Sequence, residues 1–247
     1  MRAVMSETWL DLKRLVRNPP YLIFALGMPV GFYLLYSAMY GSAQPIAHTT
    51  WGAYFLISMV TFGALGTTLN VTGTQIAMER GLGWQRFLRL TPLSGVQYTA
   101  SKLMTAMVGS LTVIILVTAA AGLKGVPLLS LHVLPADLAI WLGSVAFAAV
   151  GLFLGQVFEA STVQYAVTVV YLAGGFLGGL WAPLRILPPV FTAIARVTPS
   201  YRIAELGWGI LSHQAPLAIT YIVIAAYLVV FGVVGGAVYA RGEVRRP

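Results

Sequence analysis

The ionisable side chains of this chain are few, and their spacing limits the chemistry open to them. The seven carboxylates are Glu7, Asp11, Glu79, Asp137, Glu159, Glu205 and Glu243; the three histidines are His48, His132 and His213. General acid–base catalysis needs such groups to converge on one substrate, and a metal centre needs several ligands at short, regular spacing. Here the acids sit near the ends of long apolar runs, none deep within one, and the histidines lie outside those runs or at their rims. Cysteine is absent, which removes disulfides, thiol nucleophiles and Cys-ligated metal centres. There is no Gly-x-x-x-x-Gly-Lys-Ser/Thr loop to cradle a phosphate, and Gly81-Leu82-Gly83 lacks the third glycine of a dinucleotide fingerprint. The chain reads as non-enzymatic, with no cofactor or metal of its own.

Neutral polar groups do enter the apolar runs. Thr67, Asn70 and Thr74 recur at i, i+3 and i+7, with Thr61, Thr68 and Gln75 nearby; Gln164, Thr168 and Tyr171 recur at i, i+4 and i+7. An isolated Ser or Thr commonly bonds its own i−4 carbonyl, whereas a buried amide needs a partner or water. These stripes either line a path for a solute or join helices to one another. Phe62, Tyr165, Phe176 and Trp181 add neutral aromatic surface, which suits an amphipathic or hydrophobic solute better than a highly charged polymer.

The one charged, motif-like interruption is Met78 to Leu93. In a helix Trp84, Phe87 and Leu88 stack at i, i+3 and i+4, with Gln85, Arg86 and Arg89 opposite. Pro92 ends that helix and biases Thr91 away from the α region. A short basic, aromatic-faced helix between two apolar runs lies on a bilayer surface or inserts into a partner's groove. Its arginines, Arg80 included, either pair with partner carboxylates or hold anionic lipid, at about 1 kcal/mol each.

In order and spacing, Glu79-Arg80, Gly83, Leu88, Thr91-Pro92-Leu93-Ser94 and Lys102 resemble the first cytoplasmic loop of ABC-2 type transporter permeases, the family that includes drug and daunorubicin exporters. Arg17-Asn18-Pro19, Pro29, Leu187-Pro188 and Thr198-Pro199-Ser200-Tyr201 match the same pattern. The chain departs from it at Gly81, where an acid is common, and at Trp84, where a small residue is common. The resemblance implies the membrane subunit of an ABC exporter, with the loop as a coupling helix seated in a cleft of the ATPase. Glu79, Arg80, Gly83, Trp84, Arg86, Phe87, Leu88, Arg89, Thr91 and Pro92 would form that ATPase-coupling element. ATP and Mg would sit on the partner, two copies of an ABC ATPase subunit. Two permeases, identical or homologous, would form the conduit, lined by their second and fifth spans. That assigns Phe62, Thr67, Asn70, Thr74, Gln164, Thr168 and Tyr171 to the path. The implied cargo is a drug, antibiotic or lipid conjugate. A polysaccharide or glycolipid export permease, and a stand-alone secondary transporter or channel, are the alternatives.

The elements that must position these residues follow from composition. The 247 residues are 58% hydrophobic and 9% charged, against about 25% charged in a soluble domain. That composition, and basic residues placed at the ends of apolar runs, make the bilayer the partner of the +8 charge and exclude nucleic acid. A span needs about 20 apolar residues. Six stretches qualify: Tyr21 to Tyr40, Trp51 to Ile76, Leu103 to Leu123, Leu138 to Phe158, Val163 to Trp181 and Leu217 to Ala240. Pro29 is expected to kink the first. An interfacial helix precedes it, with Trp9, Leu12, Leu15 and Val16 on its apolar face and Asp11, Arg14 and Asn18 opposite. Glu159-Ala160-Ser161-Thr162 forms a tight turn between spans four and five. Two short re-entrant helices, opened by Pro188-Pro189 and Pro199, precede the last span. Eleven Lys and Arg flank one side of the spans and four the other, which places both termini and the Trp84 loop in the cytoplasm; the resemblance implies that the membrane is a bacterial inner membrane. Gly151 with Gly155, and Gly232 with Gly236, read as close packing within one chain. Gly174, Gly175, Gly178 and Gly179 read equally as packing or as a dimer axis. The expected architecture is one all-α domain over 1–247: interfacial helix 1–20, six spans within 21–240, and cytoplasmic tail 241–247.

Overall fold

The computed structural model describes residues 2–46, 48–84, 94–127 and 132–244. Helix α1 (Arg2–Val16) lies beside the start of the third span. Asn18 then caps the short helix α2 (Pro19–Tyr21), accepting a hydrogen bond from the Tyr21 N–H at 3.3 Å. A π-helical turn (Leu22–Gly27) leads into α3 (Met28–Tyr40), where Pro29 is the second residue. The break expected at Pro29 is thus taken up in the preceding turn, where widened hydrogen bonding accommodates the proline's missing donor.

A hairpin of two very short strands, β1 (Pro45–Ile46) and β2 (Thr49–Thr50), joins the first two spans and is the departure from an all-α chain. The second span is the axis of the molecule. It runs through α4 (Trp51–Leu69), a π-helical turn (Asn70–Gln75) and α5 (Ile76–Gly81), and its apolar window is buried along its whole length. A helix that is apolar all round belongs in an interior, and others wrap it accordingly. Packed on it are α3, α6 (Gly95–Leu123), α7 (Val133–Gly143), α8 (Val145–Val157) and α9 (Val163–Leu177), while α12 (Ala218–Val244) packs on α8. A capping box of Ser94 and Gln97 starts α6.

Five segments among the described residues are long and apolar enough to cross a membrane: Leu22–Tyr40, Trp51–Gly81, Gly95–Leu123, Val133–Val157 and Ala218–Ala237. The fifth of the six expected spans, Val163 to Trp181, is a shorter helix than the sequence suggested. Helix α9 stops at Leu177 after 15 residues, about 22 Å long against a bilayer core of about 30 Å. Gly178 ends it, and Gly179 turns the chain away in the left-handed region at φ 69°. The fourth span also starts earlier than expected, so that Asp137 lies inside it.

The two short helices before the last span are present as α10 (Pro189–Ala195) and α11 (Pro199–Leu211). Val190, Ile194 and Val197 point outward, whereas α11 buries Ile203 and Leu206. Trp208 anchors α11 to the head of α4, stacking on Tyr54 at 4.8 Å and donating to the Tyr54 carbonyl at 3.2 Å. Glu205 accepts from Arg202 at 2.9 Å and from Thr220, tying α11 to α12.

The glycines divide by span. Cβ atoms at Gly151 and Gly155 would collide with Thr72 and the Gly73 backbone, so α8 packs on the second span as expected. Those at Gly174, Gly175 and Gly178 would meet Leu65, Phe62 and Ser200, which is packing inside the protomer. Gly232 and Gly236 face open space, correcting the close packing read for the last span.

Candidate functional site

The residues flanking segment 85–93 form one buried charged assembly. Glu79 lies on α5, Tyr98 and Lys102 one turn apart on α6, and Asp11 and Arg14 one turn apart on α1. Lys102 Nζ donates to Asp11 Oδ2 and to Glu79 Oε1, both at 2.6 Å, and the Lys102 and Asp11 side chains are fully buried. Tyr98 donates to Glu79 Oε2. Arg14 Nη1 reaches Asp11 at 3.2 Å and Glu79 at 3.5 Å, and its guanidinium lies 5.8 Å from the Trp84 ring centroid. Carboxylate oxygens of Glu7, Asp11 and Glu79 come within 4.8 Å of one another. The cation that such a cluster would call for is supplied by the Lys102 ammonium and Arg14.

This corrects the face assigned to α1. Asp11 was expected opposite the apolar side; instead Asp11, Thr8 and Leu15 are buried, while Trp9 and Val16 are exposed. A carboxylate is stable there because Lys102 meets it. The Glu7 carboxyl faces the same assembly. Burial first, then the charge of Asp11, hold its pKa above the ordinary 4.5, against the pull of Lys102 and Arg14.

Arg80 turns the other way. Its Nη1 donates to the carbonyls of Gly155 at 2.5 Å and Gln156 at 2.7 Å, in the last turn of α8, where a cation complements the helix C-terminus. Glu79 and Arg80 therefore grip the base of the loop from two sides, where the sequence reading had Arg80 reaching outward. Gly83 follows at φ 74°, a conformation that explains glycine there. Arg86, Phe87, Leu88, Arg89, Thr91 and Pro92 lie outside the described residues.

The two expected path stripes meet at an aromatic contact. Phe62 on α4 stacks on Tyr171 of α9, centroids 4.2 Å apart and planes 10° apart, with Trp181 edge-on to Phe62 at 5.5 Å. The Tyr171 hydroxyl donates to the Phe24 carbonyl at 3.4 Å. Helix α9 follows the second span from Val167 beside Gly73 to Gly175 beside Phe62. Thr67 and Thr74 are buried and Asn70 is half-buried, because the π-helical turn rotates the stripe out of its regular register. The hydroxyls of Thr61 and Thr74 and Gln75 Oε1 are buried with no hydrogen-bond partner among the described residues. Gln164 and Thr168 are exposed on the free face of α9, where Gln164 Nε2 donates to Thr168 Oγ1 at 3.4 Å.

Two sites escaped the sequence reading. Asp137 is buried in the fourth span and accepts from Thr118 at 2.7 Å. His132 and His213, read as isolated, pack edge to face at 4.3 Å at the end of the bundle away from α1. The inner assembly did carry a signal: Lys102 stands at the mouth of an apolar run, and a lysine there calls for an acid.

A bundle of apolar helices around a buried central one is the architecture of a multi-pass membrane protein. A family model described as ABC-2 family transporter protein matches residues 44–238, and the chain belongs to that family. It is also similar to a Bacillus subtilis (strain 168) protein named as a transport permease, YvfS, at 25% identity over 232 residues and 94% of each chain.

Proposed function

We propose that this chain is the membrane subunit of an ATP-driven exporter that moves an amphipathic or hydrophobic solute out of the cytoplasm or inner leaflet. A separate ABC ATPase, present in two copies with ATP and Mg, supplies the work. Segment 85–93, with Trp84 at its start, seats in that ATPase. A second permease, identical or homologous, completes the conduit. Both termini face the cytoplasm.

One observation carries this reading. The helix ends that bound the segment are joined to each other through Glu79, Tyr98 and Lys102, and to α8 through Arg80. A segment held at both ends transmits force instead of deforming. The path reading is supported by the hydroxyls of Thr61 and Thr74, unpartnered among the described residues, and by the Phe62–Tyr171 pair at which the two expected stripes meet. Neutral aromatic surface suits drugs, antibiotics and lipid conjugates, hence multidrug export as the working class. The test is co-purification with the natural ATPase, reconstitution in vesicles, and a screen for compounds that change ATP turnover. Amphipathic compounds should stimulate it.

A stand-alone secondary carrier gains one observation, Asp137, since an ionisable group inside a span is what proton coupling requires. Membership of the ABC-2 family weighs against it. Transport by vesicles that hold this chain alone, abolished by Asp137→Asn, would favour the carrier.

A further inference from the structure

Three elements meet at Lys102. Asp11 belongs to α1, which precedes the spans, Glu79 to the helix entering segment 85–93, and Lys102 to the helix leaving it. Arg14 closes the ring by contacting Asp11, Glu79 and the Trp84 ring. Burying a lysine and an aspartate completely is a poor way to gain stability, because apolar groups of the same volume do as well or better. What a buried pair supplies instead is a fixed geometry: if α1 separated, Asp11 would keep only Arg14 and Lys102 only Glu79, and the contact that joins α1 to the loop ends would be lost.

We propose that Lys102 is a positioning residue that makes α1 and the two ends of segment 85–93 one mechanical body. A displacement of that segment is then delivered to α1 as well as to the second and third spans. The shared body explains why Asp11 is buried on a helix that otherwise lies at the surface, and why Arg14 covers Trp84. The proposal rests on reading segment 85–93 as the ATPase seat, but the joint itself can be tested on the isolated chain.

The chain has no cysteine, so two introduced ones are unique. Leu10→Cys on α1 and Val96→Cys on α6 are both exposed positions for spin labels. In the otherwise native chain, reconstituted in nanodiscs, the distance distribution between them should be narrow. Lys102→Met alone leaves buried carboxylates unpaired and risks misfolding. The test variant is therefore Lys102→Met with Asp11→Asn and Glu79→Gln, which removes every charge of the pairing while keeping its shape. In that variant α1 should detach and the distribution broaden. Exchanging the charges while Glu79 is kept neutral, Asp11→Lys with Lys102→Asp and Glu79→Gln, should narrow it again. In the complex, transport per ATP hydrolysed should fall at least about fivefold in the neutral variant, the lower end of ordinary coupling between sites, and recover on exchange. A distribution that stays narrow in the neutral variant, an exchange that restores nothing, or an unchanged transport-to-ATP ratio would each overturn the proposal. A native chain that binds no ATPase would contradict the proposed function instead, and the label distances would still decide the joint.

Discussion

The Lys102 ammonium lies 2.6 Å from Glu79 Oε1, although segment 85–93 separates the two residues in sequence. With the matching 2.6 Å contact to Asp11, that places one buried cation between two helices that the chain visits far apart in sequence. Removing it strands the acids. Lys102→Met should cost about 3–5 kcal/mol, as expected when a buried pair loses one member. Thermal unfolding of the purified chain in detergent measures this, and the neutral triple variant should recover most of the loss.

Stability should also respond to pH through Glu7. Its folded pKa is raised, by burial first and then by Asp11, while Glu79 acts in the same direction and Lys102 and Arg14 oppose. Protonated Glu7 is the form the fold accepts. Its contribution is complete below the ordinary value of 4.5 and is lost as pH rises through the elevated folded value. Glu7→Gln should therefore flatten the decline in melting temperature above pH 4.5, a difference readable by scanning fluorimetry across buffers.

The packing between α8 and the second span predicts a contrast between two glycines. A Cβ at Gly155 would stand 2.7 Å from the Gly73 carbonyl oxygen and 2.8 Å from that of Thr72, both backbone atoms that cannot rotate aside. Gly155→Ala should destabilise by about 1–3 kcal/mol or more. Gly232→Ala meets nothing and should fall within about 0.5 kcal/mol of the native chain. Melting temperatures of the two variants check both values.

At the aromatic contact, size and polarity separate. Phe62→Ala empties a fully buried site and should cost about 3–5 kcal/mol. Tyr171→Phe keeps the stack and loses only the long hydroxyl contact to Phe24, about 1 kcal/mol or less. If the contact lines the path, Tyr171→Phe should still change which compounds stimulate ATP turnover. An unaltered compound profile would make Tyr171 a packing residue.

The sequence made the bundle legible because each long span is apolar over more residues than a soluble helix can hide. The two short helices before the last span were legible through Pro188-Pro189 and Pro199. Their fates were not, since nothing local says that α11 would find Tyr54 for Trp208 while α10 kept its apolar side outward. The end of the fifth apolar helix was set too late because Gly178 and Gly179 read as span residues until their turn is seen. Glu79, Arg80 and Gly83 were singled out by pattern, but their contacts were not legible. Asp11 reads as a solvent-facing acid on an amphipathic helix until Lys102 appears beneath it, a contact across 91 residues that periodicity cannot carry. The π-helical turn likewise shifted Asn70 and Thr74 out of the register that a regular helix gives them.

The claim on which the account stands is that segment 85–93 receives work from another polypeptide. The direct measurement is recovery of the ATPase subunit with the affinity-purified chain, native against Phe87→Ala with Leu88→Ala. The account predicts that the native chain retains the ATPase and that the double variant loses most of it while remaining folded in the membrane. Equal recovery from both would contradict it.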